Sequence, residues 1–230
     1  LPAQEVLLSV GNGRTVSGII ANKSHHATTP DEKYRVLPYP ELYIDCGFRS
    51  VDEALAAGVN IGTPIVYAPN VVELAGGRIA GTSVDDRAAC AVMLEVVRAA
   101  RAMKSLPSIH FVFSVQEEYN LRGAITAAQV IQPDICIQLD LALATDTPDM
   151  TARGDVRLGG GPAMVLYSFH GRGTLNGCIP HPALVQPFEK TAEKEKINLQ
   201  RSAHIGAVTE TSYVQLVGRG VACIDMGFPA

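Results

Sequence analysis

At Asp85 the sequence changes character, and the residues beyond it allow few architectures. Apolar residues at helical spacing (Ala88, Val92, Leu94, Val97, Ala100) run through 87–103, and Pro107 forbids continuation. Apolar stretches at 108–115, 135–139, 163–167 and 221–226 then read as strands, with helical patterns at 123–131, 184–196 and 211–217 between them. Strands that alternate with helices bury both faces of the sheet they form. The expectation is an α/β fold, a mostly parallel sheet with helices on both faces.

The residues before this point read differently. Asn12-Gly13, two positions that tolerate positive φ, sits between apolar runs at 6–10 and 15–20 and predicts a hairpin. Further strands are expected at 42–45, 64–67 and 71–74, with one short helix at 51–57 that Gly58 stops. The domain reading is a small β-rich domain over residues 1–80 followed by an α/β domain over 81–230.

Composition narrows the partners. Hydrophobic residues make up 47% of the 230 and charged residues 18%, and no apolar run approaches the ~20 residues that span a bilayer. A membrane partner is not expected. The net charge of −4 comes from 23 acidic and 19 basic residues scattered without a Lys/Arg block, so nucleic acid is not expected either. Five cysteines, an odd number without Cys-x-x-Cys spacing, suit a reducing, cytoplasmic setting. The triplet Asn22-Lys23-Ser24 fits a glycosylation sequon and Gly159-Gly160-Gly161 a turn, and neither carries a function here.

The chemistry is expected in three acidic clusters. Asp85-Asp86 stands where the β-rich part hands over to the first long helix, Glu117-Glu118 follows the 108–115 stretch, and Asp140 closes 135–139. Sites in open α/β sheets form beyond the carboxyl ends of strands, so the three can converge. Each pair by itself reads equally as solvated charge or as favourable charge at a helix N-terminus. Their common topological position is what favours a site. Carboxylates crowded in a poorly solvated crevice stay ionised only if cations neutralise them, which points to one or two divalent metals. Glu117 and Glu118, as neighbours in extended chain, would point to opposite sides, one binding metal and the other acting as base.

The ordered motifs Gly77-Arg78-Ile79-Ala80-Gly81, Val84-Asp85-Asp86-Arg87-Ala88-Ala89-Cys90, Ser114-Val115-Gln116-Glu117-Glu118, Leu121-Arg122-Gly123-Ala124, Leu139-Asp140 and Asp146-Thr147-Pro148 together resemble the TET aminopeptidases. That family is also known under glutamyl aminopeptidase and cellulase names. The resemblance implies a zinc-aminopeptidase-like fold with an inserted β-rich dimerisation domain, here residues 1–80. It implies two divalent ions, zinc or cobalt, with Asp85 bridging both, Glu118 binding one, Asp140 binding the other and Glu117 as general base. It further implies peptide substrates and a homo-oligomer built from dimers. The family draws one histidine ligand from a segment before the insertion and another from beyond a stretch like Met226-Gly227-Phe228-Pro229-Ala230, so the chain is read as beginning inside the insertion and lacking both. His25, His26, His110, His170, His181 and His204 match neither position, and none is assigned to metal. Tyr119-Asn120 and Thr209-Glu210-Thr211 depart from the family pattern.

Two other readings stay open from the residues alone. One is a catalytically inactive assembly subunit of the same fold. The other is a metal-free glycoside hydrolase, for which adjacent glutamates, no Trp and 6% aromatic residues are poor material.

Overall fold

The computed structural model describes residues 2–151, 153–171 and 176–230. The chain divides into two compact units, Leu1–Thr82 and Ser83–Ala230.

The first unit is built on an antiparallel hairpin of β1 (Glu5–Ser9) and β2 (Thr15–Asn22). Its turn follows the sequence signal: Arg14 N–H donates to Gly11 O at 3.0 Å, with Asn12 and Gly13 at φ 53° and 72°. Positive φ at both central residues gives a turn whose twist matches the flanking strands. β3 (Leu42–Asp45) and β4 (Ile65–Tyr67) complete a four-stranded sheet in the order β3-β2-β1-β4. Alternation places Val6 and Leu8 of β1 on the buried face. The short helix α1 (Val51–Ala56) starts at Ser50, whose Oγ accepts from Glu53 N–H at 3.2 Å, and gives way to Gly58 at φ 93°. A separate ribbon pairs β5 (Val71–Leu74) with β6 (Arg78–Gly81).

The second unit opens with α2 (Val84–Arg101), followed by α3 (Arg122–Ile131) and β7 (Ile135–Ala142). Then come β8 (Ala163–Phe169), β9 (Gly177–Cys178), α4 (Pro182–Glu195), β10 (Gln200–Ile205), α5 (Thr211–Val214) and β11 (Ala222–Pro229). The sheet runs β10-β8-β11-β7, with β9 beside β8. β10 pairs with β8, and β11 with β7, in parallel, while β11 meets β8 antiparallel through Asp225↔Val165, Met226↔Met164 and Gly227↔Ala163. The α/β expectation holds, with an antiparallel seam joining two parallel pairs. β11 is laddered on both sides, and its Ile224 is fully buried, a side chain worth about 1.5–3 kcal/mol when removed from water. Ala124 and Ala128 of α3 and Val214 of α5 pack with Cys178, Val221 and Cys223 into one apolar cluster.

Residues 108–115, expected as a strand, form no ladder among the described residues, and Ile109, Phe113 and Val115 are exposed. An apolar run becomes a strand only when a neighbour takes its N–H and C=O groups, and period alone does not supply one. β7 also runs past Leu139, so Asp140 lies within the strand instead of closing it. The strands β6, β9 and β10 carried no signal strong enough to be expected.

The start of α3 leans on the end of the 108–115 stretch. Gly123 N–H donates to Val115 O at 2.9 Å, and a Cβ on Gly123 would lie 2.4 Å from that oxygen and 2.5 Å from Val115 N. Both are main-chain atoms that cannot swing aside. Gly123→Ala is therefore expected to lower stability by about 1–3 kcal/mol, the cost typical of overpacking, and an unchanged urea midpoint would show that the approach is softer than the geometry says.

Candidate functional site

The acidic clusters picked from the sequence meet in the second unit. Asp85, Glu117, Glu118 and Asp140 all line one pocket, whose opposite wall comes from β10 and the loop after it. Local structure explains how each arrives there. Asp85 and Asp86 fall inside the first turn of α2 but have non-helical backbone angles, so their side chains do not follow the helical stagger. Asp140 is carried by β7.

Glu117 and Glu118 are not in extended chain as expected. They occupy a tight turn in which Leu121 N–H donates to Glu117 O at 2.8 Å and Tyr119 N–H to Gln116 O at 3.3 Å. Gln116, Asn120 and Leu121 around them have φ of 57°, 71° and 58°. Non-glycine residues in that region carry strain of about 1–3 kcal/mol each, tolerated where the surroundings over-determine the conformation. Here the turn brings both glutamates to the same pocket. The Arg122 guanidinium lies 4.3 Å from the centre of the Tyr119 ring, a cation–π contact that covers one side of the turn.

Carboxylate oxygens of Asp85, Asp86 and Asp140 lie within 4.8 Å of one another. Asp86 was not singled out as a ligand from the sequence, yet it joins the cluster, and its Oδ1 is buried without a hydrogen-bond partner among the described residues. Glu118 lines the same pocket but stands outside this three-residue group.

Electrostatics record the crowding. Burial, then the charges of Asp140, Asp85 and Glu210, push Asp86 up to about 7. Burial followed by Asp140, Glu118, Glu210 and Asp85 does the same for Glu117, to about 7. Asp140 rises to about 6, chiefly by burial and despite the N–H of Leu141. Burial also raises Glu210 and Asp225, neither of which carried a signal in the sequence. Like charges in a shielded site hold protons unless a cation replaces them, and this oxygen-rich donor set fits hard or borderline divalent ions.

His204 and Arg153 are among the other residues that line the pocket. His204 of β10 is half-buried there, and burial pulls its imidazole below the ordinary value; it stands outside the carboxylate group. Arg153 supplies a cation to the wall. Neither had a sequence signal beyond residue type, because the loop and strand that carry them were not placed.

A buried polar network joins Thr209 and Asp225, which also line the pocket, to Thr211. Asp225 accepts from Thr209 Oγ1 at 2.7 Å and Thr211 Oγ1 at 2.6 Å, and the two hydroxyl oxygens are 2.8 Å apart. Burial raises the Asp225 carboxyl, and the hydrogen bonds donated by Thr211 and Thr209 oppose that shift. The Thr209-Glu210-Thr211 departure thus sits at a structural junction.

The chain matches the family described as M42 glutamyl aminopeptidase over residues 1–230. It is 34% identical to SgcX of Escherichia coli (strain K12) over 228 residues, 99% of this chain and 61% of that protein. Among solved structures, aminopeptidase APDkam598 of the archaeon Desulfurococcus kamchatkensis superposes with a TM-score of 0.89 at 31% identity, covering 99% of this chain and 61% of that one. A TET aminopeptidase of the marine sediment archaeon Thaumarchaeota archaeon SCGC AB-539-E09 gives 0.87 at 30% identity, with 100% and 63% covered. The 230 residues therefore span less than two thirds of the length of these relatives. Motifs, fold and site agree, and the chain belongs to the M42 aminopeptidase family.

Proposed function

We propose that the pocket carboxylates are the acidic part of a two-ion peptide-hydrolysing centre, and that the complete protein removes N-terminal residues from peptides. The observation that carries this reading is the meeting of Asp85, Asp86 and Asp140 oxygens within 4.8 Å, beside Glu117 and Glu118 in one pocket. In this proposal Asp85 would be a ligand common to two ions, zinc or cobalt, Asp140 and Glu118 would each serve one, and histidine ligands would come from outside these 230 residues. Divalent ions bound there would polarise the scissile carbonyl and lower the pKa of a water toward neutrality.

The rest of the chemistry falls to the chain's own groups. Glu117 takes a proton from the attacking water and returns it to the leaving amine. It stands in the pocket beside the proposed ligands, the placement a general base needs, and without metal burial and then the neighbouring carboxylates raise it to about 7. The relatives' names differ in the residue removed, glutamyl for the family and lysyl for a Pyrococcus furiosus aminopeptidase 31% identical over 196 residues. They support the bond cleaved and leave side-chain preference open. A cytoplasmic homo-oligomer, assembled from dimers through the β-rich unit, belongs to the same proposal. No helix among the described residues is long and apolar enough to cross a membrane.

Glu117→Gln in the complete protein, with metal content retained, is expected to lower peptide hydrolysis about 10²–10⁴-fold; activity near wild type would exclude Glu117 as base. Chelation should abolish hydrolysis and divalent ions restore it, whereas a metal-free glycosidase would be indifferent.

The raised pKa values set a pH dependence. Asp86, Glu117 and Asp140 bind their protons more tightly in the folded state, with values of about 7, 7 and 6, than at the ordinary 3.8 to 4.5. Stability of the chelated protein is thus fullest near the ordinary carboxylate range and declines as pH climbs toward about 7. Thermal melts of chelated protein between about pH 5 and 8 should show this fall, and added divalent ions should remove it. A flat or rising midpoint would contradict the crowding described.

A further inference from the structure

Gln138 is 7% exposed and lies two residues before Asp140 in β7, on the same face of the strand. Its Nε2 donates to Asp140 Oδ2 at 3.0 Å, and its Oε1 accepts from Thr211 N–H at 3.0 Å. The two contacts fix the amide's orientation. A main-chain N–H only donates and an ionised carboxylate only accepts, so the flipped amide would lose both bonds.

The anchor behind the amide is itself held. Thr211 is fully buried and donates from Oγ1 to Asp225 Oδ1 at 2.6 Å, while Thr209 donates to Oδ2 of the same carboxylate at 2.7 Å. Asp225 stands in register with Gln138 across the β11–β7 ladder. Asp140 Oδ1 accepts from the N–H of Leu141 at 2.6 Å, so both oxygens of Asp140 have a directed partner. A carboxylate gripped at both oxygens cannot turn freely about its last torsion.

We infer that Gln138 is a positioning residue for Asp140: its amide, braced by Thr211 and Asp225, fixes the orientation in which the Asp140 carboxylate meets a divalent cation. This rests on the proposed role of Asp140 as a ligand. Groups that orient a ligand in this way typically change metal affinity about 10–100-fold when removed. Gln138 is not expected to touch the peptide.

The test is made on the complete protein, with zinc affinity read by competition against a chromophoric chelator and geometry read from the visible absorption of the cobalt-loaded form. Gln138→Met keeps the length and shape but has no donor or acceptor amide. It is expected to bind zinc about 10–100-fold more weakly and to shift the cobalt bands. A purely structural Gln138 would lower the melting midpoint of the metal-free protein while leaving affinity and spectrum as in wild type, and that result overturns the inference. Asp140→Asn is measured in parallel. Wild-type affinity in that variant would sink the ligand assignment itself, whereas weak binding by Asp140→Asn beside wild-type binding by Gln138→Met would sink only the positioning role. If Gln138→Met fails to fold, Gln138→Asn retains the amide but is one methylene too short to span Thr211 and Asp140; it should also bind weakly, and wild-type binding by it overturns the inference.

Discussion

Mutual repulsion among crowded, partly buried carboxylates shapes the second unit. Asp85, Asp86 and Asp140 crowd together, Glu117 and Glu118 stand beside them, and partial burial takes from Asp86, Glu117 and Asp140 some of the water that would screen their charges. Such an arrangement is costly to a protein that has no use for it. The structure holds it through fixed backbone: non-helical residues at the head of α2, a turn with three non-glycine residues at positive φ, and a strand laddered to a doubly paired neighbour. Strain and repulsion gather at the same place, as happens where structure is shaped by chemistry.

The strands also provide the site's depth. β11 brings Asp225 next to Gln138, and Gln138 in turn meets Asp140, so one ladder sets the spacing between a half-buried carboxylate and a buried one. Threonine hydroxyls satisfy the enclosed acid without adding charge. The result is a polar layer whose members are fixed by main-chain register as well as by their own contacts.

Much of this was legible in the residues, and the failures share a cause. Long periodic helices such as α2 and α3, the Asn12-Gly13 turn and the apolar run of β11 are local signals, and they were read near their true bounds. The convergence of Asp85, Glu117, Glu118 and Asp140 was also foreseen, because their positions relative to predicted elements were already suggestive. What stayed hidden depends on partners distant in sequence. Residues 108–115 have the composition of a strand but no ladder among the described residues, and β9 and β10 are strands chiefly because β8 lies beside them. Asp86, Gln138 and Asp225 gain their places through packing and register, which no spacing along the chain encodes.

The position of β11 between β7 and β8 bears on how the chain acquires its fold. Synthesis runs from the N-terminus, so both flanking strands emerge before the strand that joins them. Until residues 222–229 emerge, β7 lacks its one ladder partner among the described residues, and β8 shows an open side. Pairings of such long sequence separation form slowly, and edges left waiting invite association with other chains. The nascent chain therefore passes through a stage in which the described strands of this sheet stand in two pieces.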